Sequence, residues 1–348
     1  MKATGRSIGV VDIFCGVGGL SYGLKSAGLK ILAGFDLDPF CKYPFERNCK
    51  SIFVNEDVRK VTAEAVNCRF GGTQIRVLAG CAPCQPFSTY SQSRKSKDDR
   101  WQLLRDFLRL AIEIRPEVIT MENVPRLAHN PVWNEFVAGL AEVGYEVSWD
   151  IVRCEEIGVP QTRQRLVLLA SKRPGLKIEN LERVKKPKTV RDAVGALDSL
   201  GAGGKSSKDI LHTASRLSDK NMSRIKASKP GGTWRDWKKE LRASCHVRKG
   251  GETYPSVYGR MSWDEPAPTI TTQFYGFGNG RFGHPEQNRA ISIREAALLQ
   301  SFPKAYKFVE TAEDVSFRRL GILIGNAVPP LLGKAIGKAI KAHADASF

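Results

Sequence analysis

The feature that most limits how this chain can fold is the order of its apolar runs. Over the first 171 residues, short continuous apolar stretches alternate with segments of helical spacing. "IGVVDIF" (8–14), "KILAGFDLD" (30–38), "RVLAGC" (76–81), "EVITMENV" (117–124) and "RLVLLAS" (165–171) read as buried strands. "LSYGLKSAGL" (20–29) has helical spacing and ends near Gly28; "LLRDFLRLAIEIRP" (103–116) is amphipathic and is stopped by Pro116. This alternation predicts an α/β fold with a mainly parallel sheet, and ligands at the carboxyl ends of its strands.

The pattern breaks after residue 171. "SKRPGLKIENLERVKKPK" (171–188) is polar and charged, "LGAGGKSSKD" (200–209) is rich in Gly, Ser and Lys, and "KPGGTWRDWKK" (229–239) mixes aromatics with bases. Helical spacing returns with "SIREAALLQSF" (292–302), followed by "GNAVPP" (325–330) and the small-residue helix "LLGKAIGKAIKAHA" (331–344). A chain of 348 residues exceeds what one hydrophobic core usually serves. We therefore expect an α/β domain over 1–171, a second, smaller irregular domain over 172–288, and a return to the first domain over 289–348. No internal repeat is visible.

Charge follows the same division. The net charge is +18, and residues 172–288 hold 23 Lys and Arg against 12 Asp and Glu, a net of +11. A concentrated surplus of this kind attracts polyanions and points to nucleic acid. No run of 18 or more apolar residues occurs, which argues against a membrane partner. The apolar run near the N-terminus stops at Asp12 and has no cleavage site, so it reads as a strand rather than a signal peptide. Eight cysteines without a secretion signal are expected to be reduced thiols in a cytoplasm.

Two of those cysteines, Cys81 and Cys84 in "GCAPCQPFST", are spaced C-x-x-C. No second C-x-x-C and no paired histidines supply the other half of a zinc site, so no metal is expected. A redox pair usually opens a helix, and Pro86 disfavours a helix running straight on from Cys84. One working thiol with an idle neighbour is the third reading of the pair.

"FCGVGG" (14–19) joins a strand to a helix, where glycines allow close backbone approach and the helix start offers unpaired N–H groups. The dinucleotide fingerprint needs a third glycine at position 21, which is Ser21. The second strand ends at Asp36 and Asp38, and a third apolar stretch leads into Asp57. Acids at those strand ends suit ribose hydroxyls and a neutral or cationic adenosyl ligand such as S-adenosylmethionine, and they repel a 2′-phosphate. Helix capping is the other reading of the same acids.

Three polar groups fall at or near strand ends: Cys84-Gln85, Glu122-Asn123, and Gln161, Arg163 and Arg165 of "QTRQR". A thiolate, a carboxyl and two guanidiniums can activate cytosine. Thiolate addition to C6 makes C5 nucleophilic, and the charge that develops on N3 and O2 calls for an acid and a cation.

With these residues quoted, the chain resembles the DNA (cytosine-5)-methyltransferases of bacterial type II restriction–modification systems. Six segments carry the resemblance in order: "DIFCGVGGLSYG", "GCAPCQPFS", "MENVPRL", "IGVPQTRQRLVLLAS", "RAISIREAALLQSFP" and "GNAVPP". The resemblance implies a Rossmann-like S-adenosylmethionine-dependent methyltransferase sheet with a target recognition domain inserted at 172–288. It makes Cys84 the nucleophile, Glu122 the group that binds N3 and the exocyclic amine, and Arg165 and Arg163 the groups that hold the cytosine and a nearby phosphate, ordered by Gln161. Phe14, Gly16, Gly18, Gly19 and Leu20 line the cofactor site. Asp36 with Leu37 meets the ribose, Asp57 with Val58 meets the adenine, and Asn326 and Val328 close the methionine side, with the C-terminal helix packed beside them. Residues 86–101 correspond to a mobile loop that closes over a base rotated out of the duplex, with Gln85 and Ser88 near the gap it leaves. Arg224, Arg235 and Arg260 are candidate DNA contacts in the inserted domain. For the family's Thr-Leu-type pair, Thr269-Ile270 and Thr271-Thr272 both compete. The implied partners are double-stranded DNA, met as a monomer in a bacterial cytoplasm, and a cognate restriction endonuclease that shares the site without a stable complex.

Other readings differ in what they require. An RNA-directed relative usually has a smaller recognition segment. A DNA-binding protein without catalysis would show a broken "PCQ", "ENV" or "QTRQR", and all three are intact. A nicotinamide dehydrogenase needs the missing third glycine.

Overall fold

The computed structural model describes residues 6–83, 100–251 and 255–348. Cys84, Gln85 and Ser88, and the expected closing loop up to residue 99, lie outside the described residues. The chain divides into two compact units. The first comprises 1–157, 164–184 and 328–348, and the second comprises 158–163 and 185–327.

In chain order the first unit begins with β1 (Ile8–Ile13), α1 (Gly19–Ser26), β2 (Lys30–Asp36), α2 (Lys42–Cys49), β3 (Ile52–Asn55), α3 (Ala63–Phe70) and β4 (Ile75–Gly80). It continues with α4 (Arg100–Ile114), β5 (Val118–Asn123), α5 (Pro131–Glu142) and β6 (Glu146–Arg153). The two-residue β7 (Gln161–Thr162) belongs to the second unit, and β8 (Gln164–Ser171) returns to the first. The second unit then holds α6 (Val190–Val194), α7 (Asp219–Ala227), α8 (Ser244–Val247), β9 (Ala267–Pro268), α9 (Ile293–Leu299) and α10 (Phe317–Gly325), and α11 (Pro330–Ser347) closes the first.

Seven strands form one sheet in the order β3-β2-β1-β4-β5-β8-β6. The first five are parallel, whereas β8 pairs antiparallel with both β5 and β6. All six residues of β1 and of β5 are buried, as expected of strands covered on both faces. One face packs on α3, α4 and α5, with Phe107, Trp133 and Phe136 stacked against Ile13, Leu78, Met121 and Leu168. On the other side α11 reaches β8 through a hydrogen bond between Ser171 Oγ and His343 Nε2 at 2.8 Å and lies directly on α1. Residues 317–347 are apolar enough to cross a membrane by composition, yet Pro329 and Pro330 split them into two helices and α11 buries ten of its side chains or backbone positions.

The sequence expectation differs in two places. β6 was not expected: its charged, half-exposed residues (Glu146, Asp150, Arg153) do not read as a buried run, because it is the last strand of the sheet and pairs on one side only. The expected boundaries at 172, 288 and 289 also shift. The helix expected to rejoin the first unit at 292–302 packs within the second, where Ser292 caps α9 and Glu295 is held by Arg289 at 2.7 Å.

The second unit has few regular elements; β7 and β9 pair over only two residues. Its aromatic cluster gathers Trp234, Trp237 and Phe277 around Ile225 and Ala290. Coil leaves many carbonyls without ladder partners, and buried arginines fill that need. Arg289, fully buried, bonds the carbonyls of Leu200 and Ala290 besides Glu295.

Candidate active site

In the first unit the strand order reverses between β1 and β4, the place where open α/β sheets bind ligands. Beyond β1 the chain turns sharply through Phe14, Gly16 and Gly18, all with positive φ (62°, 51° and 87°). For Phe14 this conformation carries strain that the surrounding structure must hold. A Cβ on Gly16 would meet nothing within 4 Å, so the loop borders open space. Gly16 N–H donates to Asp36 Oδ2 at 2.8 Å and Asp38 N–H to Asp36 Oδ1 at 2.9 Å. Burial nevertheless raises the Asp36 carboxyl above its ordinary value. Each oxygen keeps a lone pair for a ligand hydroxyl.

A cavity of about 220 Å³ opens here, lined by Phe14, Asp36, Leu37, Asp57 and Val58 together with Arg59, Pro83 and Leu103. Gly19 and Leu20 lie in the buried first turn of α1 behind it. Asp57 is gripped by Arg59, whose Nε lies 3.0 Å from each carboxylate oxygen, and that bond holds the acid below the usual range. Among the described residues the cavity's lining cation, Arg59, is thus engaged by Asp57, and the donor set fits an uncharged or cationic adenosyl group. Val328 is buried just ahead of α11; Asn326 caps the end of α10 and belongs to the second unit.

The neighbouring rim is built by strand polarity. Because β8 runs antiparallel to β5, its first residues reach the carboxyl end of β5, with Asn123 opposite Leu166. Arg165 and Glu122 meet there, Nε to Oε1 at 2.7 Å, with Glu122 3% exposed. Arg165 also donates to the Gln164 carbonyl at 2.7 Å. From the end of β4, the Cys81 thiol donates to the other oxygen, Oε2, at 2.9 Å. Asn123 Nδ2 donates to the Ala82 carbonyl at 3.1 Å and so fixes the segment that leads to Cys84. The rim thus offers an oriented acid and an oriented guanidinium, one residue pair from the thiol's place in the chain.

Gln161 and Arg163 lie in the second unit, and there both are structural. Gln161 Nε2 donates to the Leu299 carbonyl and to Gln300 Oε1, and its Oε1 accepts from Ile270 N–H at 2.8 Å. Arg163, 2% exposed, donates to the carbonyls of Ile270 at 3.0 Å and Gly325 at 3.1 Å. Arg163, for which the resemblance implied a hold on the cytosine, thus has both terminal nitrogens on backbone carbonyls of its own unit. Of the two threonine pairs, the one with a backbone clamped on both sides is Thr269-Ile270, where Thr269 Oγ1 also donates to the Thr162 carbonyl at 2.8 Å.

Two of the three candidate DNA arginines are buried. Arg260, 4% exposed, bonds the carbonyls of Ser228, His284, Gln287 and Ile225. Arg224, 6% exposed, bonds the Leu241 carbonyl at 2.7 Å and lies over Trp237 and Tyr258. Both guanidiniums lie inside the second unit. Arg235 is exposed, with its guanidinium over Trp234.

The sequence reading missed Arg59 and the contact made by Cys81, and it named Asn123 without giving it a role. Arg59 had a signal: it stands two residues after Asp57, the spacing of an Asx turn, and its N–H does donate to Asp57 Oδ1 at 3.1 Å. Asn123 also had one, because an amide ending a buried strand must find partners.

The family description "C-5 cytosine-specific DNA methylase" matches residues 8–342. The chain is 48% identical to the type II methylase M.HgiDII of Herpetosiphon aurantiacus, over 95% of this chain and 94% of that protein. It is 32% identical to the type II methyltransferase M1.BsuMI of Bacillus subtilis, over 95% and 80%. Among solved structures, a putative DNA modification methyltransferase encoded within an E. coli prophage superposes with a TM-score of 0.72 at 24% identity, covering 96% of this chain and 98% of that one. The Dnmt2 methyltransferase of S. pombe gives 0.64 at 17%, covering 96% and 97%. The two structural likenesses speak to the fold.

Proposed function

The chain belongs to the C-5 cytosine-specific DNA methylases, and from that premise we propose that it methylates C5 of a cytosine rotated out of a specific double-stranded DNA sequence, as the modification enzyme of a type II restriction–modification system. It does so in the bacterial cytoplasm as a monomer on DNA, and a cognate endonuclease cuts the same sequence without binding it stably. Similarity to type II methyltransferases along nearly the whole of the chain supports this reading.

The observation that carries the chemistry is the buried Glu122–Arg165 pair at the end of β5. The Cys84 thiolate adds to C6. Electron density moves to N3 and O2, where Glu122 donates a proton to N3 and Arg165 holds O2. After methylation the adduct loses the C5 proton to water, the C6–S bond breaks to return the thiolate, and N3 gives its proton back to Glu122. When bound, S-adenosylmethionine supplies the methyl group. Asp36 would accept from its ribose hydroxyls and Asp57 from its adenine amine, and the Phe14–Gly18 loop with Gly19 and Leu20 would hold its methionine. Among the remaining thiols, burial pushes Cys15, Cys41 and Cys49 up, which leaves them poor nucleophiles.

The second unit takes the part of target recognition through its exposed bases, Arg235 among them. The test is bisulfite sequencing of duplex DNA incubated with the protein and S-adenosylmethionine. The expected result is conversion-resistant cytosines at one recurrent sequence, lost in Cys84→Ser while cofactor binding persists. Full conversion at every cytosine with the parent protein refutes the proposal.

A further inference from the structure

Resting on the function proposed above, we infer that Cys81 is a positioning residue, a thiol that keeps Glu122 aligned and stands in for the exocyclic amine of cytosine until the base arrives. The family resemblance gave Cys81 no task beside the nucleophile. The geometry gives it a task. Glu122 is 3% exposed, and its two oxygens face different elements: Oε1 is ion-paired with Arg165 of β8, 2.7 Å from its Nε, and Oε2 accepts from the thiol of Cys81, the residue after β4, at 2.9 Å. Cys81 is itself anchored, since its N–H donates to the Ile13 carbonyl at 3.3 Å. A carboxyl engaged at both oxygens is restrained about its last torsion.

Cytosine presents a ring nitrogen and an amine along one edge, and a carboxyl must face that edge with both oxygens. The donor already on Oε2 must therefore give way to the amine. A thiol suits this duty because it is a weak donor. It satisfies a buried oxygen in the absence of a base, and yields to a stronger donor at little cost. With Cys81 replaced by alanine, Oε2 loses its partner and the carboxyl is free to turn.

Steady-state methylation by the parent, Cys81→Ala and Cys81→Ser tests this, on the duplex sequence that the parent marks and with thermal unfolding recorded for each. Cys81→Ala is expected to lower kcat by about tenfold, the scale of one hydrogen bond to a charged group, with KM for S-adenosylmethionine unchanged. Cys81→Ser restores a donor and is expected to recover most of the loss. In a Glu122→Gln background the alanine substitution should have little further effect, because the group it aligns is no longer an acid. The inference falls if Cys81→Ala keeps the parent kcat, if Cys81→Ser is as slow as Cys81→Ala, or if the loss persists in full beside Glu122→Gln. A parent that methylates no cytosine removes the function reading, and the role of Cys81 with it.

Discussion

Asp12 ends up 1% exposed beneath α1, where Ser21 Oγ donates to its Oδ2 at 2.6 Å. Burial raises its pKa to about 7, with Asp36 pushing the same way and the Ser21 bond opposing. A carboxyl that binds its proton more tightly folded than unfolded stabilises the fold at acid pH, and the contribution is lost as pH rises from the unfolded value of 3.8 through about 7. Asp12→Asn removes that dependence. The stability of the parent relative to Asp12→Asn should therefore fall between pH 4 and 7, at no more than about 1.4 kcal/mol per pH unit, and level off above. Urea unfolding of both proteins across that range checks it; a difference independent of pH would show that Asp12 keeps an ordinary pKa. Arg59 is the second residue to test. If it holds Asp57 for the adenine amine, Arg59→Ala should weaken S-adenosylmethionine binding by about tenfold, read by calorimetry, and should matter less for an analogue whose purine lacks the amine. Proximity was legible where type and strand-end position coincide, as at Glu122 and Arg165, which the fold brings together. Burial was illegible where a charge is consumed inside: nothing local in the sequence separates Arg260, bonded to four carbonyls, from exposed Arg235.

The pairing of α1 with α11 joins the two ends of the first unit, and glycines set its closeness. A Cβ on Gly23 would lie 2.3 Å from the Pro330 carbonyl oxygen and 2.6 Å from Lys334 N, and one on Gly333 would lie 2.7 Å from the Leu20 carbonyl oxygen. These neighbours are backbone and cannot turn aside. Gly23→Val should therefore push the helices apart and destabilise the unit by about 2–4 kcal/mol, measured by denaturant unfolding; a loss below about 0.5 kcal/mol would mean that the helices separate without cost. Because α1 begins at Gly19, directly after the cofactor loop, S-adenosylmethionine affinity should fall with it. The glycines of "LLGKAIGKAIKAHA" announced a close-packing helix in the sequence, but not its partner. Strands buried on both faces were equally plain, since β1, β4 and β5 are nearly continuous apolar runs. β6 escaped because an edge strand buries too little to imprint a pattern, with only Val152 of its eight residues buried.

For the molecule as a whole, a net charge of +18 made nucleic acid the natural partner, but charge by itself overstates the surface available to it. Part of the second unit's surplus, at Arg224, Arg260 and Arg289, serves as interior hydrogen-bond donors for a coil that lacks ladders. What remains outside includes Lys226, Lys229, Arg235, Lys238, Lys239, Arg248 and Lys249, all exposed within one stretch of the chain. The two classes should separate in solution. Exposed lysines that neutralise phosphates release counterions on binding, so replacing Lys238 and Lys239 together by alanine should reduce the slope of log affinity against log salt by about one per lysine, with stability nearly unchanged. Arg260→Met should do the reverse, lowering the unfolding temperature by stranding the carbonyls it serves. Duplex affinities measured by fluorescence anisotropy between 50 and 200 mM salt, beside melting curves, distinguish them. An unaltered salt slope in the lysine variant would place the duplex on another face of the second unit. The recognition role would then have to be sought among its remaining exposed bases, Lys205, Lys208 and Arg216 first.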